Sequence, residues 1–150
     1  QSVEVVNAGV SGDTSSGGLS RLDWSVGPDT SAVIVELGAN DALRGISPEL
    51  TRKNIDEIVR RLTERGVAVL VAGMLAPRNL GPEYAEAFDP IYSDVAKAHD
   101  ALFYPFFLEG AALNPDLNLS DGMHPNAKGV EVIVENILPK VEELLAKARS

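Results

Sequence analysis

The sequence predicts a single α/β domain built on a parallel sheet, and three observations carry that prediction. Ala32-Val33-Ile34-Val35 is an apolar, β-branched run without period-2 alternation, the pattern of a strand covered on both faces. Val67 to Val71 repeats the pattern, and an amphipathic helical stretch separates the two. Strand, helix, strand with short connections implies a right-handed parallel crossover. The run from Ala32 is expected to be the central strand. Just past its carboxyl end lie Gly38, Asn40 and Asp41, small or short polar residues on a tight loop, at the sheet edge where open α/β folds bind ligands.

A chain of 150 residues, 45% hydrophobic and 23% charged, suits one domain over 1–150 with an adequate core. Its net charge of -9 opposes nucleic acid and anionic membrane surfaces as partners. With no cysteine and two histidines, neither a disulfide framework nor a metal site is expected, and no cofactor motif is present. No apolar run is long enough to span a bilayer, and no signal peptide is visible. Because the chain starts at Gln1 rather than Met, an upstream segment is expected.

In chain order, Val3 to Val6 reads as a short strand leading into the Gly/Ser/Asp-rich loop Asn7 to Gly18. Leu19 to Trp24 suits a short helix or irregular turn, with Trp24 in the core, and Gly27-Pro28-Asp29 punctuates the way to the next strand. Ser47 as N-cap and Pro48 at the first helical position open a helix ending near Gly66. Leu50, Ile55, Ile58, Val59 and Leu62 form its apolar stripe. Met74 to Pro82 is a loop on the ligand-binding edge. Glu83 to Asp100 is helical, with Pro90 kinking or restarting it. Ala101 to Leu108 holds a short aromatic strand whose Pro105 favours an edge, and the aromatic cluster belongs to the core. Lys128 to Ala148 is a closing helix, kinked or broken at Pro139, with Glu131, Glu135, Glu142 and Glu143 on its solvated face.

Three segments could carry chemistry. Asp121 and His124, three apart on a turn opened by Pro125, can pair so that the carboxylate accepts from Nδ1–H and leaves Nε2 as a base. Taken alone, the pair is a weak signal and reads more simply as an Asp capping a helix beside a surface His. Gly12 and Asn40, on loops after two strands, could converge a backbone N–H and a side-chain amide on a developing oxyanion. Separately they read as a turn glycine and a capping residue. Asp41 is expected to organise its own loop, and His99 to be a surface residue rather than a ligand.

Asn7 to Ser15, Glu36 to Gly45 and Asp121 to Asn126 resemble, in order, the second, third and fifth blocks of the SGNH (GDSL) hydrolases. More narrowly they are similar to the arylesterase / acyl-CoA thioesterase I / lysophospholipase L1 group, as are the Ala76 to Tyr84 loop and the Phe103 to Phe107 stretch. The resemblance implies a flavodoxin-like three-layer α/β/α sandwich with a parallel sheet. It further implies metal-independent hydrolysis of carboxylic esters or thioesters through an acyl-enzyme, with small-molecule acyl substrates and a periplasmic or secreted location. By position, Gly12 and Asn40 would donate to the oxyanion, His124 would be the general base and Asp121 its orienting partner. Apart from the resemblance, Arg44, Arg78 and Asn79 form a candidate substrate loop, in which Arg44 and Arg78 could meet an anionic group but read more simply as solvated loop residues, and Phe107 or Leu108 of the core cluster could line an acyl pocket.

The block with the family's nucleophilic serine, which follows its first strand, has no counterpart here, so the nucleophile is unknown and the first strand is expected to be missing. Gly12-Asp13-Thr14-Ser15 echoes that block, but Asn7-Ala8-Gly9 ahead of it fits the second block better. Removing a strand would leave unpaired edges and apolar surface, so the chain is expected to pair with an N-terminal fragment, swap strands in a homo-oligomer or be poorly stable. The alternatives are a carbohydrate O-deacetylase of the same fold and a binding remnant without the nucleophile. A nucleotide-binding module lacks a phosphate-cradling motif.

Overall fold

The structure, a computed structural model, describes residues 2–150. Its elements are α1 (Ser15–Ser20), α2 (Leu22–Ser25), β1 (Ala32–Val35), α3 (Ala39–Leu43), α4 (Pro48–Glu64), β2 (Ala68–Ala72), α5 (Pro82–Phe88), α6 (Ile91–Ala98), β3 (Leu102–Tyr104) and α7 (Ala127–Arg149). Short 3-10 turns lie at Arg78–Leu80 and Pro115–Leu117. The three strands pair in parallel in the order β1-β2-β3.

Strand alternation makes the layers. Val69 and Val71 of β2 point to one face and pack with Ile55, Ile58, Val59 and Leu62 of α4 and Ile91, Tyr92 and Val95 of α6. Leu70 points to the other face and meets Ile137 and Leu144 of α7 together with Tyr104. The result is the expected three-layer α/β/α arrangement, with α4, α5 and α6 on one side and α7 on the other.

Several sequence expectations need correction. Ala32–Val35 is an edge strand of the described sheet; β2 is the centre. Ile34 pairs in register with the fully buried Leu70 yet stays 43% exposed, because β1 has no neighbour on its outer side among the described residues. Val3 to Val6 forms no strand: a strand exists only through its ladder, and this segment has no backbone partner among the described residues, leaving Val5 84% exposed. Val130, Val134 and Leu138 line an exposed stripe of α7. Apolar surface is therefore open on β1 and α7.

Trp24 is exposed rather than in the core, since the single turn of α2 turns Leu22 inward instead. Leu50 is exposed as well, because Thr51 takes the inward position in the first turn of α4. Ser47 stands at the cap of α4, but its hydroxyl caps nothing. The break at Asp89-Pro90 separates α5 from α6, so Pro90 restarts the helix. Pro139, by contrast, lies inside an uninterrupted α7. His99 is half-buried and bonded to Asp56 at 2.7 Å.

Candidate active site

Two loop systems, one around Gly12 and Asn40 beside the end of β1 and one ahead of α7, hold the predicted site residues. In the first, Gly12 adopts φ +77, in the left-handed region that favours glycine, and its N–H donates to no group among the described residues. The peptides around it are pinned from several sides. Arg44 donates to Gly12 O at 3.1 Å, and Asn40 Nδ2 donates to Asp13 O at 3.0 Å. Arg21 bonds Asp13 Oδ2 at 2.7 Å and Ala8 O at 2.6 Å. Thr14 caps α1 by accepting from Gly17 N–H at 3.1 Å.

Gly38 sets the approach to Asn40. Its φ of +110 turns the chain from β1 into α3, and a Cβ there would lie 2.0 Å from Tyr92 Oη. That hydroxyl donates to Leu37 O at 2.7 Å and props the turn from beneath. Its titration is pushed far above the ordinary phenol range, first by burial and then by the nearby Glu36 and Asp41 carboxylates. Burial likewise raises the Glu36 carboxyl.

The second loop system precedes α7. Leu119 N–H donates to His124 O at 2.7 Å and Asn126 N–H to Leu117 O at 2.9 Å, folding residues 117–126 back on themselves. Asn126 caps α7 by accepting from Gly129 N–H. Within the turn, Asp121 Oδ1 accepts from Met123 N–H at 2.9 Å and His124 N–H at 3.0 Å, while Oδ2 lies 2.6 Å from His124 Nδ1. These bonds, first that from the His124 backbone, then Met123's, then the ring's, hold the Asp121 carboxyl down to about 2. An ionised carboxylate at Nδ1 makes that nitrogen the protonated one in the neutral ring. Nε2 is then an open acceptor, and no described residue hydrogen-bonds it.

Gly12 and Asn40 are thus brought together through Asp13. No hydrogen bond of the described residues joins them to the Asp121/His124 turn. Arg44, a candidate for contact with substrate, is engaged on the Gly12 carbonyl. Arg78 and Asn79 are exposed on their 3-10 turn, and neither side chain is hydrogen-bonded among the described residues. Asp41 reaches past its own loop, contrary to expectation, and bonds Ser15 and Thr51. Ser15 Oγ is fully buried in that contact, and Thr14 Oγ1 serves as a cap, so this segment is built for structure. An open groove of about 460 Å³ between α4 and α6, lined by Glu49, Arg52, Asp56 and Asp94, lies away from both loops.

Sequence reasoning missed the Arg44 and Asp41 contacts. The bonds from Arg44 to Gly12 and from Ser15 to Asp41 each span more than twenty residues of chain, and only the donor and acceptor types were legible in advance.

Residues 1–132 match the GDSL-like lipase/acylhydrolase family. The chain belongs to that family. The SGNH resemblance drawn from the three blocks is therefore borne out, and so is the hydrolase fold. Among its relatives, the esterase TesA of Pseudomonas aeruginosa is 39% identical over 142 residues, covering 94% of this chain and 71% of the relative. Thioesterase 1/protease 1/lysophospholipase L1 of Escherichia coli K12 is 37% identical, with 94% and 68% covered. The crystal structure of a TesA superposes with a TM-score of 0.88 at 38% identity, covering 94% of this chain and 79% of that one.

Proposed function

We propose that this GDSL-family chain serves serine-dependent hydrolysis of carboxylic esters or thioesters through an acyl-enzyme. The observation that carries the proposal is the 2.6 Å contact between Asp121 Oδ2 and His124 Nδ1, which leaves Nε2 ready to accept a proton. A seryl hydroxyl gives its proton to Nε2 as its oxygen bonds the acyl carbonyl carbon. The carbonyl oxygen becomes an oxyanion, and Gly12 N–H and the second hydrogen of Asn40 Nδ2 donate to it. Collapse breaks the bond to the alcohol or thiol, which leaves with the proton from His124. Water, deprotonated by the same ring, then releases the acid. Asp121 stays ionised throughout and holds the tautomer.

The names of the relatives, esterase and thioesterase, support a carboxylic ester or a thioester as substrate. Ser15, buried against Asp41, is not the attacking serine in this scheme. Hydrolysis of p-nitrophenyl acetate and of an acyl-CoA thioester tests it, with His124→Ala lowering kcat on the order of 10³-fold or more. Fluorophosphonate labelling with peptide mapping identifies the attacking serine. An adduct on Ser15, or full activity in His124→Ala, would refute the scheme.

A further inference from the structure

Beside the two proposed oxyanion donors lies a buried carboxylate for which the reaction has no use. Asp41 is 1% exposed. Its Oδ1 accepts from Ser15 N–H at 2.7 Å, and its Oδ2 accepts from Ser15 Oγ at 2.5 Å and Thr51 Oγ1 at 2.8 Å. Asn54 Nδ2 completes the cluster by donating to Ser15 Oγ at 3.1 Å. No salt bridge among the described residues involves Asp41. A carboxylate can stay buried without a cation only where donors fill its lone pairs, so every one of these bonds matters.

The geometry says what they hold. Asn40 and Asp41 are consecutive on α3, and both reach the segment that carries Gly12: Asn40 to Asp13 O, Asp41 to Ser15 N–H and Oγ. Arg44, one turn on, takes Gly12 O. Two side chains of this short helix and that of its C-cap, Arg44, thereby grip successive points of residues 12–15. Of the three, Asp41 alone is buried, and α4 braces it from beneath through Thr51. Arg44 is exposed and its hold is open to water.

We propose that Asp41 is a positioning residue of the oxyanion site: it sets the separation and orientation of Gly12 N–H and Asn40 Nδ2 by clamping the start of α1 to α3. The proposal rests on the hydrolase function assigned to the site above. Asp41 touches no reacting atom. It acts because two donors stabilise a transition-state charge only when both point at one place.

Asp41→Asn keeps the shape and breaks the clamp. Turned one way, its NH₂ opposes Ser15 N–H; turned the other, it faces two hydroxyls that must reverse, and Ser15 Oγ already accepts from Asn54. In the full chain, p-nitrophenyl butyrate hydrolysis should then lose on the order of 10²-fold in kcat with KM within about twofold. Affinity for phenylboronic acid, which forms a tetrahedral adduct, should weaken by a similar factor, and an inhibition constant does not depend on the fraction of enzyme folded. The pH midpoint of the His124-dependent limb should not move.

Thr51→Val removes one bond to the carboxylate and keeps those to Ser15. It should weaken phenylboronic acid by about a few-fold, and it decides the matter if Asp41→Asn does not fold. Wild-type kcat and boronate affinity in the folded variants would overturn the role of Asp41. If His124→Ala destroys activity while these variants behave as wild type, the positioning role alone fails. If His124→Ala is fully active, the function assigned to the site fails.

Discussion

Asp121 Oδ2 lies 2.6 Å from His124 Nδ1, and the other oxygen of the same carboxylate accepts the backbone N–H groups of Met123 and His124. One side chain therefore both folds the turn and sets the ring. The two tasks separate by substitution.

Asp121→Asn keeps an oxygen for the backbone and loses the charge at Nδ1. Activity should fall on the order of 10³-fold or more in kcat, because the amide can favour the wrong tautomer. A drop under tenfold would mean that the pair does not orient the base.

The same carboxyl predicts a pH dependence. Its folded value of about 2 lies below the ordinary 3.8. Its bonds thus stabilise the turn above the ordinary value and are lost as pH falls through about 2. Amide exchange at Met123 and His124 should stay slow near pH 4 and accelerate only toward about pH 2. Acceleration already near the ordinary value would contradict it.

Asn40→Ala removes the amide donor and its bond to Asp13 O. The expected loss is roughly 10²- to 10³-fold in kcat with KM little changed, since the donor serves the oxyanion and not the ground-state ester. An effect confined to KM would place Asn40 in ground-state binding instead.

Gly38→Ala drives a Cβ to 2.0 Å from Tyr92 Oη at a φ of +110. Both the left-handed backbone and the overlap oppose it, for about 2–4 kcal/mol in total. Tyr92→Phe removes the clashing oxygen at the cost of the bond to Leu37 O. Thermal unfolding of the double variant should show less destabilisation than the sum of the two single changes. Strict additivity would show that the hydroxyl is not what excludes a side chain at this position.

Glu36→Gln should raise Tm at neutral pH. Burial lifts the Glu36 carboxyl above 4.5, so the folded state resists its ionisation and loses stability as pH climbs through the raised value. Glutamine carries no such cost. The gain should shrink toward pH 4.5 and vanish well below it, where Glu36 is protonated in both states. A gain that persists in acid would have another source.

What was legible in the sequence was local. Val69 and Val71 announce a buried strand by their own shape, and Ile55, Ile58, Val59 and Leu62 announce a helix face by their spacing. Asp121 and His124 stand within one turn of each other, so their pairing needs only local backbone geometry. Membership of the family was legible for the same reason, since its three blocks are short contiguous segments.

Tertiary structure decided the rest. β1 is an edge strand and Val3 to Val6 is no strand at all, because pairing belongs to two segments and a sequence specifies only one at a time. Arg44 read as a solvated loop residue or a substrate contact until the fold laid Gly12 O beneath its guanidinium, and Asp41 as a loop organiser until α1 and α4 closed on it. A side chain's type states what it can donate or accept. Which partner receives the bond is settled by the packing of elements distant in the chain, which carries no local signature.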